Sequence, residues 1–285
     1  MEFKGKVAVI TGGASGIGRS VALALARLGT DIVVADIDDI HLGEVHQEIE
    51  SMGRRTIAVH CDVSKDADID NLAEKTFTNM GKVDILMNNA GVALRGLVEK
   101  ISMKDWEWII GINLLGVIRG VHAFLPHMLE RGSGYIINTS SGNGLMASEP
   151  PVIANEGIAY STSKFGVVGF SEGLYGYLRP QGIMVSVLCP GMTRTNISIN
   201  ARYVMSDSEK MNKLKEAEKL FTKEPGKPKG ELEVLESDEV AQIVIKSMEE
   251  KRFFILTHEG VQVHLKRRGQ DIQKLEKYLQ DAFGG

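Results

Sequence analysis

Cysteine is nearly absent from this 285-residue chain, which contains only Cys61 and Cys189. Two thiols do not make a disulfide framework or a zinc site. Both cysteines lie in apolar runs that are typical of strands, so we expect them to be buried, reduced and structural. A chain of this kind suits a reducing compartment, and we expect a cytoplasmic protein.

Long apolar runs and a strong charge of one sign are also missing. No apolar stretch is expected to reach the ~18 residues of a membrane span, and the residues after Met1 show no signal-peptide pattern. The net charge is −4 and the pI is about 6.0, so there is no electrostatic footprint for nucleic acid. No repeat of 20–50 residues is apparent, which argues against a solenoid.

What the chain does contain is a regular alternation of short apolar runs and longer amphipathic ones. The short runs are rich in Val and Ile and lack a polar residue at every second position, which is typical of strands buried on both faces. The predicted strands are Val7–Thr11, Asp31–Asp36, Thr56–Cys61, Val83–Asn88, Tyr135–Thr139, Met184–Cys189 and Phe253–Leu256.

Helices are predicted between these strands, and together the elements repeat a strand–helix–strand unit. The predicted helices are Ile17–Leu28, His41–Met52, Asp66–Met80, a long helix that opens at Ser102 and runs toward Leu129, and Ala159–Leu178. Such units require parallel strands with right-handed crossovers. We therefore expect an α/β fold over residues 1–285: a single-domain, Rossmann-type, doubly wound parallel sheet of about seven strands with helices on both faces.

Two segments interrupt this alternation. Residues 198–229 are polar and rich in lysine, and they are too long for a simple connection. They are interpreted either as a substrate lid of one or two helices or as a solvated surface excursion. Residues 261–285 are predicted to form a C-terminal amphipathic helix, whose basic start is typical of a solvated face.

Tyr160 and Lys164 stand four residues apart in one predicted helix, so their side chains share a face. A phenol normally keeps its proton until about pH 10. A neighbouring ammonium group favours the phenolate and would lower the pKa of Tyr160, which could then exchange a proton with an alcohol or a carbonyl near neutral pH. Taken alone, the spacing is more often that of a packed tyrosine and a solvated lysine.

A glycine-rich turn follows the first predicted strand and opens the first predicted helix. Its glycines, Gly12, Gly16 and Gly18, allow a sharp turn and the close approach of a pyrophosphate, and Ser15 and Ile17 lie between them. The phosphate would then lie at the N-terminus of the helix, where free N–H groups favour an anion. This position in the chain is the context that a dinucleotide site requires.

Asp36 ends the second predicted strand, where a carboxylate can accept hydrogen bonds from the adenosine ribose and repel the 2′-phosphate of NADP. The turn and this acid together predict NAD rather than NADP. The alternative is that Asp36 only starts a turn with Asp38 and Asp39.

The chain resembles the short-chain dehydrogenase/reductase family, from Lys6 to about Thr195, and specifically its single-domain, NAD-preferring members. The glycine turn resembles the coenzyme turn of the family, and further motifs match in order along the chain. These are Asp62-Val63, which contacts adenine in relatives; Asn89-Ala90-Gly91, which flanks the coenzyme; the tetrad Asn113, Ser141, Tyr160 and Lys164; and Pro190-Gly191 with Thr193 and Thr195, which holds the nicotinamide carboxamide.

This resemblance implies roles for the tetrad. Tyr160 would be the acid/base, Lys164 would lower its pKa and bond the nicotinamide ribose, and Ser141 would polarise the substrate oxygen rather than act as a nucleophile, because no histidine is paired with it. Ser140 competes for that role. Asn113 would distort its helix locally, and its backbone carbonyl holds a water linked to the lysine in relatives.

We therefore expect an NAD-dependent oxidoreductase that interconverts a secondary alcohol and a ketone, without a metal. The substrate pocket is predicted to include Leu94, Leu145, Met146, Pro151 and Met192, which suggests a hydrophobic or cyclic small molecule. An insertion at 148–157 should shape this pocket. The alternatives are a 3-oxoacyl thioester reductase and a non-catalytic nucleotide-sensing protein. Relatives form homodimers or homotetramers through the helix that carries Tyr160. The face around Gly166, Val167 and Gly169 would allow such packing, although a monomeric core would use it equally well.

Overall fold

The computed structural model describes residues 2–146, 157–204 and 234–262. The strands are β1 Val7–Thr11, β2 Asp31–Asp36, β3 Thr56–His60, β4 Ile85–Asn88, β5 Leu94–Gly96, β6 Gly134–Thr139, β7 Ile183–Cys189, β8 Thr193–Arg194, β9 Arg202–Val204, β10 Leu235–Glu236 and β11 Phe254–Leu256. The helices are α1 Gly16–Arg27, α2 Asp39–Ser51, α3 Asp66–Met80, α4 Met103–Ile110, α5 Gly116–Arg131, α6 Ile158–Leu178 and α7 Ser237–Glu249.

Seven of the strands form one parallel sheet, in the order β11-β7-β6-β4-β1-β2-β3. Apolar clusters fill the spaces on its faces. The predicted doubly wound parallel sheet of about seven strands is confirmed. Because the strands run the same way, their carboxyl ends share one edge, and the connections that leave this edge carry the candidate site.

Local signals explain where several helices begin and end. Asp38 caps α2 by accepting the His41 N–H, and Ser102, the predicted start of the long helix, caps α4 by accepting the Asp105 N–H. Helix α3 ends at Gly81, which is left-handed with φ +75°. The predicted bounds agree with the structure to within two residues for most elements.

One continuous helix runs for 29 residues from Met103 to Arg131 and includes a π segment at Gly111–Leu115. By length and composition alone it could cross a membrane, and within the described residues it is the one helix that meets this test, which corrects the expectation that no such stretch exists. Val121, Phe124 and Met128 are buried in the core cluster, so the helix packs as a core helix of this fold.

The two cysteines behave as predicted from the sequence. Both are buried and neither forms a disulfide. Burial raises the pKa of each thiol to about 12, so neither is poised to act as a thiolate near neutral pH.

Some sequence expectations lie wholly or partly outside the described residues. Those are Pro151 with most of the 148–157 insertion, residues 205–229 of the proposed lid, and the C-terminal helix after residue 262. On α6, a Cβ on Gly166 would lie 2.8 Å from Leu114, and Val167 is fully buried, so these two residues pack within the monomer, which was one of the two expected uses of this face. An added Cβ on Gly169 has no atom of the described residues within 4 Å.

Candidate active site

The turn between β1 and α1 forms a concave cradle, and at two of its positions the backbone conformation favours glycine. Gly12 has φ +62° and Gly16 has φ +53°, values that favour glycine. An added Cβ at Gly18 would lie 2.2 Å from the Gly12 carbonyl oxygen. An added Cβ at Gly16 would lie 3.1 Å from the Thr195 methyl, so the loop after β7 faces this turn. The bare backbone at the start of α1 therefore suits a pyrophosphate group.

Asp36 organises the same turn. One carboxylate oxygen accepts the Ala14 N–H at 3.0 Å, and the other accepts the N–H groups of Ile37 and Asp38 at 2.8 and 3.2 Å. The side chain does start the local turn, as the alternative reading held. A carboxylate has about four lone-pair directions, so it keeps capacity for ribose hydroxyls. Arg19, the nearest helical cation, is paired with Glu48 at 2.5 Å.

The connection after β4 is held against the glycine turn by Thr11 and Asn89. The Thr11 hydroxyl accepts the N–H groups of Asn89 and Ala90, and the Asn89 amide donates to the carbonyl oxygens of Thr11 and Gly12. Gly91 follows, and an added Cβ there would lie 3.3 Å from both the Asn113 amide oxygen and the Lys164 Nζ. The predicted coenzyme segment and two tetrad residues therefore meet at Gly91.

Asp62 and Val63 follow β3 at the same edge of the sheet. Burial alone would raise the pKa of Asp62, but hydrogen bonds from the Ser64 hydroxyl and N–H outweigh it and lower that pKa. Val63 is buried against Gly116, where an added Cβ would lie 2.8 Å from its methyl group. The adenine contact that the resemblance implies for these two residues stays a prediction.

The loop after β7 is fixed from two sides. Pro190 accepts the Gly142 N–H at 2.8 Å, which joins this loop to the one after β6. The Gly191 N–H lies 3.1 Å from the Thr257 hydroxyl and 3.2 Å from the His258 Nδ1. The buried Nε2 of His258 has no hydrogen-bond partner within the described residues. Thr193, in β8, donates to the Gly191 carbonyl at 3.3 Å.

Asn113 lies at the centre of the π segment and is fully buried. Its amide oxygen accepts the Val92 N–H at 2.8 Å, and its amide nitrogen donates to the Val92 carbonyl and to the Ser163 hydroxyl. The side chain is therefore used in joining the helix to the segment after Gly91 and to α6. The expected local distortion of this helix is present, and π segments recur at functional sites.

The two neighbouring serines after β6 have different partners. The Ser140 hydroxyl is buried and donates to the Lys164 carbonyl at 2.8 Å. The Ser141 hydroxyl is half-buried, accepts the Asn143 N–H at 3.2 Å and lies close enough to the Tyr160 phenol to lower its pKa. Ser140 is committed to the helix backbone, so the geometry favours Ser141 as the group that meets a substrate oxygen.

Tyr160 and Lys164 share a face of α6, with the Lys164 Nζ 5.8 Å from the centre of the Tyr160 ring. That ammonium group is buried, donates to the Thr139 carbonyl at 3.0 Å, and has its pKa lowered to about 8 by burial. Burial raises the pKa of Tyr160, while Ser141 and the positive charge of Arg95 lower it by smaller amounts. The net direction is therefore opposite to the lowering expected from Lys164, because desolvation of the phenolate dominates.

The predicted pocket residues fall into two groups. Leu94 and Leu145 are buried in separate apolar clusters, so they form supporting walls. Met146 and Met192 are half-buried on the loops that follow β6 and β7. No group of three or more His, Cys, Asp or Glu side chains in the described parts of the chain is arranged to hold a metal ion.

Three further side chains contribute to the site and were not singled out from the sequence. Ser163 links Asn113 to the Tyr160 carbonyl, His258 backs Gly191, and Arg95 acts on the Tyr160 phenol. Their roles depend on contacts between distant segments, so no local pattern marks them. The spacing of Ser163 from Tyr160, three residues on a helix, was the one available signal.

The different partners of the two serines predict different effects of their removal. We expect Ser141→Ala to lower kcat by ~10²-fold or more, since it removes a hydrogen bond to a developing oxygen charge. Ser140→Ala should leave kcat close to that of the wild type and lower the free energy of unfolding by about 1 kcal/mol. Steady-state kinetics and thermal unfolding of both variants measure this, and a larger loss of kcat in Ser140→Ala would reverse the assignment.

Comparison with known proteins gives consistent matches. A family model described as short chain dehydrogenase matches residues 6–204. The chain is 32% identical over 272 residues to a CLA biosynthesis dehydrogenase/reductase of Lactiplantibacillus plantarum, covering 90% of this chain and 89% of that protein. It is 36% identical to 3beta-hydroxysteroid dehydrogenase 2 of Eggerthella lenta, covering 70% and 75%. A solved structure from Burkholderia phymatum, a short chain dehydrogenase/reductase in complex with NAD, has a TM-score of 0.79 at 34% identity and covers 96% of each chain.

Proposed function

This chain belongs to the short-chain dehydrogenase/reductase family, and from that premise we propose that it is an NAD(H)-preferring oxidoreductase that interconverts a secondary alcohol and a ketone. The observation that carries the proposal is the convergence at one edge of the sheet. Ser141, Tyr160, the buried Lys164 and the glycine cradle all lie where the loops after β1, β4, β6 and β7 meet.

In this proposal Tyr160 moves the proton. Its phenol donates a proton to the carbonyl oxygen of a ketone or, as phenolate, accepts one from an alcohol. The Ser141 hydroxyl donates a hydrogen bond to the same substrate oxygen and stabilises its negative charge. Lys164, which donates to the Thr139 carbonyl and has its Nζ 5.8 Å from the centre of the Tyr160 ring, would bond the nicotinamide ribose.

The glycine turn is fitted to the dinucleotide that the family implies. A side chain at Gly12 or Gly16 would strain the backbone, and a Cβ at Gly18 would clash with Gly12. Glycine at these positions leaves the backbone exposed where a pyrophosphate would lie. Asp36 would hold the adenosine ribose, and the loop of Gly191, Thr193 and Thr195 would hold the nicotinamide end. When bound, the nicotinamide supplies the hydride acceptor or donor.

The preference for NAD over NADP rests on Asp36 and on the pairing of Arg19. The 2′-phosphate of NADP would lie beside the Asp36 carboxylate, and two negative charges close together repel each other. The Arg19 guanidinium, which could offset that repulsion, is held by Glu48. The bound NAD in the similar Burkholderia phymatum structure supports the same choice.

We expect Asp36→Asn to lower the ratio of kcat/KM with NADH to kcat/KM with NADPH by ~10- to 100-fold, because a hydrogen bond to a charged group is lost and the repulsion is removed. Asp39→Asn is the matched control, since Asp39 is an exposed acid at the start of α2, three residues after Asp36, and it pairs with His60. An unchanged ratio in Asp36→Asn, or an equal change in Asp39→Asn, would contradict the assignment.

The reaction itself is tested with a panel of secondary alcohols and ketones, each assayed with NAD(H) and NADP(H). We propose an apolar or cyclic substrate, and the steroid alcohol named for the Eggerthella lenta relative supports this choice. Turnover with NAD(H) on such compounds is the expected result. Clear preference for 3-oxoacyl thioesters with NADPH would favour the thioester reductase instead, and cofactor binding without turnover would favour a nucleotide sensor.

We further propose a cytoplasmic homodimer or homotetramer. Gly169, Gly173 and Gly176 on α6 have no atom within 4 Å of an added Cβ, so this side of the helix is open to close approach within the described structure. Light scattering of the purified protein tests the assembly, and a monomer at micromolar concentration would exclude it. Cell fractionation tests the location, which the two buried free cysteines support.

A further inference from the structure

The segment after β11 runs beside the loop after β7 because the two strands end together. Strands β7 and β11 are parallel neighbours, and their last residues, Cys189 and Leu256, are partners in the ladder. Both segments therefore leave the sheet at the same edge, where residues equally far beyond the two ends lie close together. Gly191 and His258 are each two residues beyond this pair, and the structure brings them into contact.

The imidazole of His258 occupies the space where a side chain at position 191 would lie. An added Cβ at Gly191 would lie 2.6 Å from the His258 Nδ1, 2.7 Å from its Cγ and 3.0 Å from its Cε1. Gly191 does not have a positive φ, so glycine is required here by the close approach of the ring and not by the backbone conformation. His258 is itself only 8% exposed, so its surroundings hold the ring in this position.

The hydrogen bonds at this contact assign an acceptor role to the His258 Nδ1. The Gly191 N–H lies 3.2 Å from that nitrogen and 3.1 Å from the Thr257 hydroxyl oxygen, and an N–H group can only donate. The Thr257 hydroxyl lies 2.6 Å from the same nitrogen and donates to it, while its oxygen accepts from Gly191. This assignment satisfies all three contacts, and it places the proton of the neutral ring on Nε2.

Fixing the Gly191 peptide also fixes the start of the loop that follows it. The Gly191 carbonyl oxygen accepts the Thr193 hydroxyl at 3.3 Å, so Gly191 is held at both its N–H and its C=O. Further along this loop, the Thr195 methyl group lies 3.1 Å from a Cβ built on Gly16. The contact with His258 therefore acts, through one residue, on a loop that faces the glycine turn.

We propose that His258 is a positioning residue for the nicotinamide end of the coenzyme. Through its Nδ1 it fixes the direction of the Gly191 peptide, and so it shapes the loop of Gly191, Thr193 and Thr195 before the coenzyme binds. The inference rests on the proposed function, in which this loop holds the nicotinamide, and extends it to a side chain outside both the tetrad and the loop. A preshaped loop binds more tightly because less ordering is left to occur on binding.

Three substitutions separate the acceptor atom from the bulk of the ring. An asparagine side chain places its amide oxygen near the position of the imidazole Nδ1, a glutamine side chain reaches instead to that of Nε2, and leucine offers no acceptor. We expect His258→Leu and His258→Gln to bind NADH ~10-fold more weakly than the wild type, as for the loss of one hydrogen bond to the backbone. His258→Asn should stay within ~3-fold of the wild type. Calorimetry measures these affinities.

ADP-ribose, which lacks the nicotinamide, shows where in the site the effect arises. All three variants should bind it within ~2-fold of the wild type, because its pyrophosphate and adenosine would lie at the glycine turn and Asp36. An equal loss of affinity for NADH and ADP-ribose, or wild-type NADH affinity in His258→Leu, would overturn the proposal. Recovery of NADH affinity in His258→Gln but not in His258→Asn would overturn the role of Nδ1.

Ile255→Val is the matched control for a general loss of stability. Ile255 is fully buried in β11, belongs to the core cluster, and is paired with Leu188 rather than with the loop. The substitution should lower the free energy of unfolding and leave the NADH affinity unchanged. A loss of NADH affinity as large as that in His258→Leu would show that destabilisation alone accounts for the effect, and the proposal would fall.

Hydrogen–deuterium exchange of the coenzyme-free protein tests the loop without ligand or turnover. Peptides that cover residues 189–195 should exchange faster in His258→Leu than in the wild type and in His258→Asn, and peptides that cover residues 12–18 should not change. Unchanged exchange over residues 189–195 in His258→Leu would contradict the proposal. If this exchange and the NADH affinity depend on His258 while no alcohol or ketone is turned over, the positioning role stands and the proposed reaction fails.

Discussion

Replacing Tyr160 with phenylalanine is expected to lower kcat by ~10³-fold or more while the protein still binds NADH within a few-fold of the wild type. In the proposed reaction the phenol exchanges the proton with the substrate oxygen, and general acid–base catalysis contributes ~10²–10⁴-fold. The ring that packs against the Leu94 cluster is kept, so the wall of the site should not collapse. Steady-state turnover and NADH fluorescence titration measure the two quantities separately.

Tyr135 provides a matched control for this substitution. Its buried hydroxyl hydrogen-bonds Ser186 at 2.7 Å inside the sheet, away from the candidate site. Tyr135→Phe should therefore lower the free energy of unfolding by about 1 kcal/mol and leave kcat unchanged. Normal turnover in Tyr160→Phe, or a similar loss of kcat in both variants, would rule out Tyr160 as the acid/base.

Replacing Gly18 with alanine is expected to abolish cofactor binding at concentrations that saturate the wild type. The new Cβ would lie 2.2 Å from the Gly12 carbonyl oxygen and 2.5 Å from the Asn89 amide nitrogen. These two atoms are joined by a hydrogen bond from the Asn89 amide to the Gly12 carbonyl. The turn must therefore open to admit the Cβ, and its backbone N–H groups lose their alignment. Crowding of this kind costs about 1–3 kcal/mol of stability. NADH titration and thermal unfolding check both effects.

Gly43 offers the same substitution without the crowding. It lies within α2, and no atom of the described residues is within 4 Å of an added Cβ there. Gly43→Ala should bind NADH normally and gain up to about 1 kcal/mol of stability, since alanine favours a helix interior over glycine. Wild-type NADH affinity in Gly18→Ala would show that the turn between β1 and α1 is not the pyrophosphate site.

The fold could be predicted from the sequence because the secondary-structure preference of each segment agrees with the alternation of strands and helices along the chain. Unbroken Val and Ile runs such as Ile32–Ala35 are fully buried in the structure, and their lack of alternation had indicated a parallel sheet covered on both faces. Strands β8 and β10 were not predicted from the sequence, because they are only two residues long and form through pairing with each other. Helix α7 was also missed.

The residues of the candidate site could be predicted from the sequence, but the shift of the Tyr160 pKa could not. Motifs located Asn113, Ser141, Tyr160 and Lys164, and the structure brings them together. The predicted lowering of the Tyr160 pKa was wrong, since burial raises that pKa. A spacing of four residues shows neither the burial of the phenol nor the hydrogen bond from Lys164 to the Thr139 carbonyl. Such effects depend on the surrounding chain, and only the folded structure contains it.

The π segment around Asn113 has a consequence for the long helix as a whole. A π segment accommodates one residue more than an α-helix would, and each residue of an α-helix turns the chain by about 100°. If Gly111–Leu115 relaxed to α geometry, everything after it would rotate by about that angle, carrying Val121 and Phe124 off the sheet and Gly120 away from its close contact with Asn88. The burial of Val121 and Phe124 in α5 therefore fixes how the whole helix is rotated about its axis. In this way the packing of its C-terminal half keeps Asn113 in position.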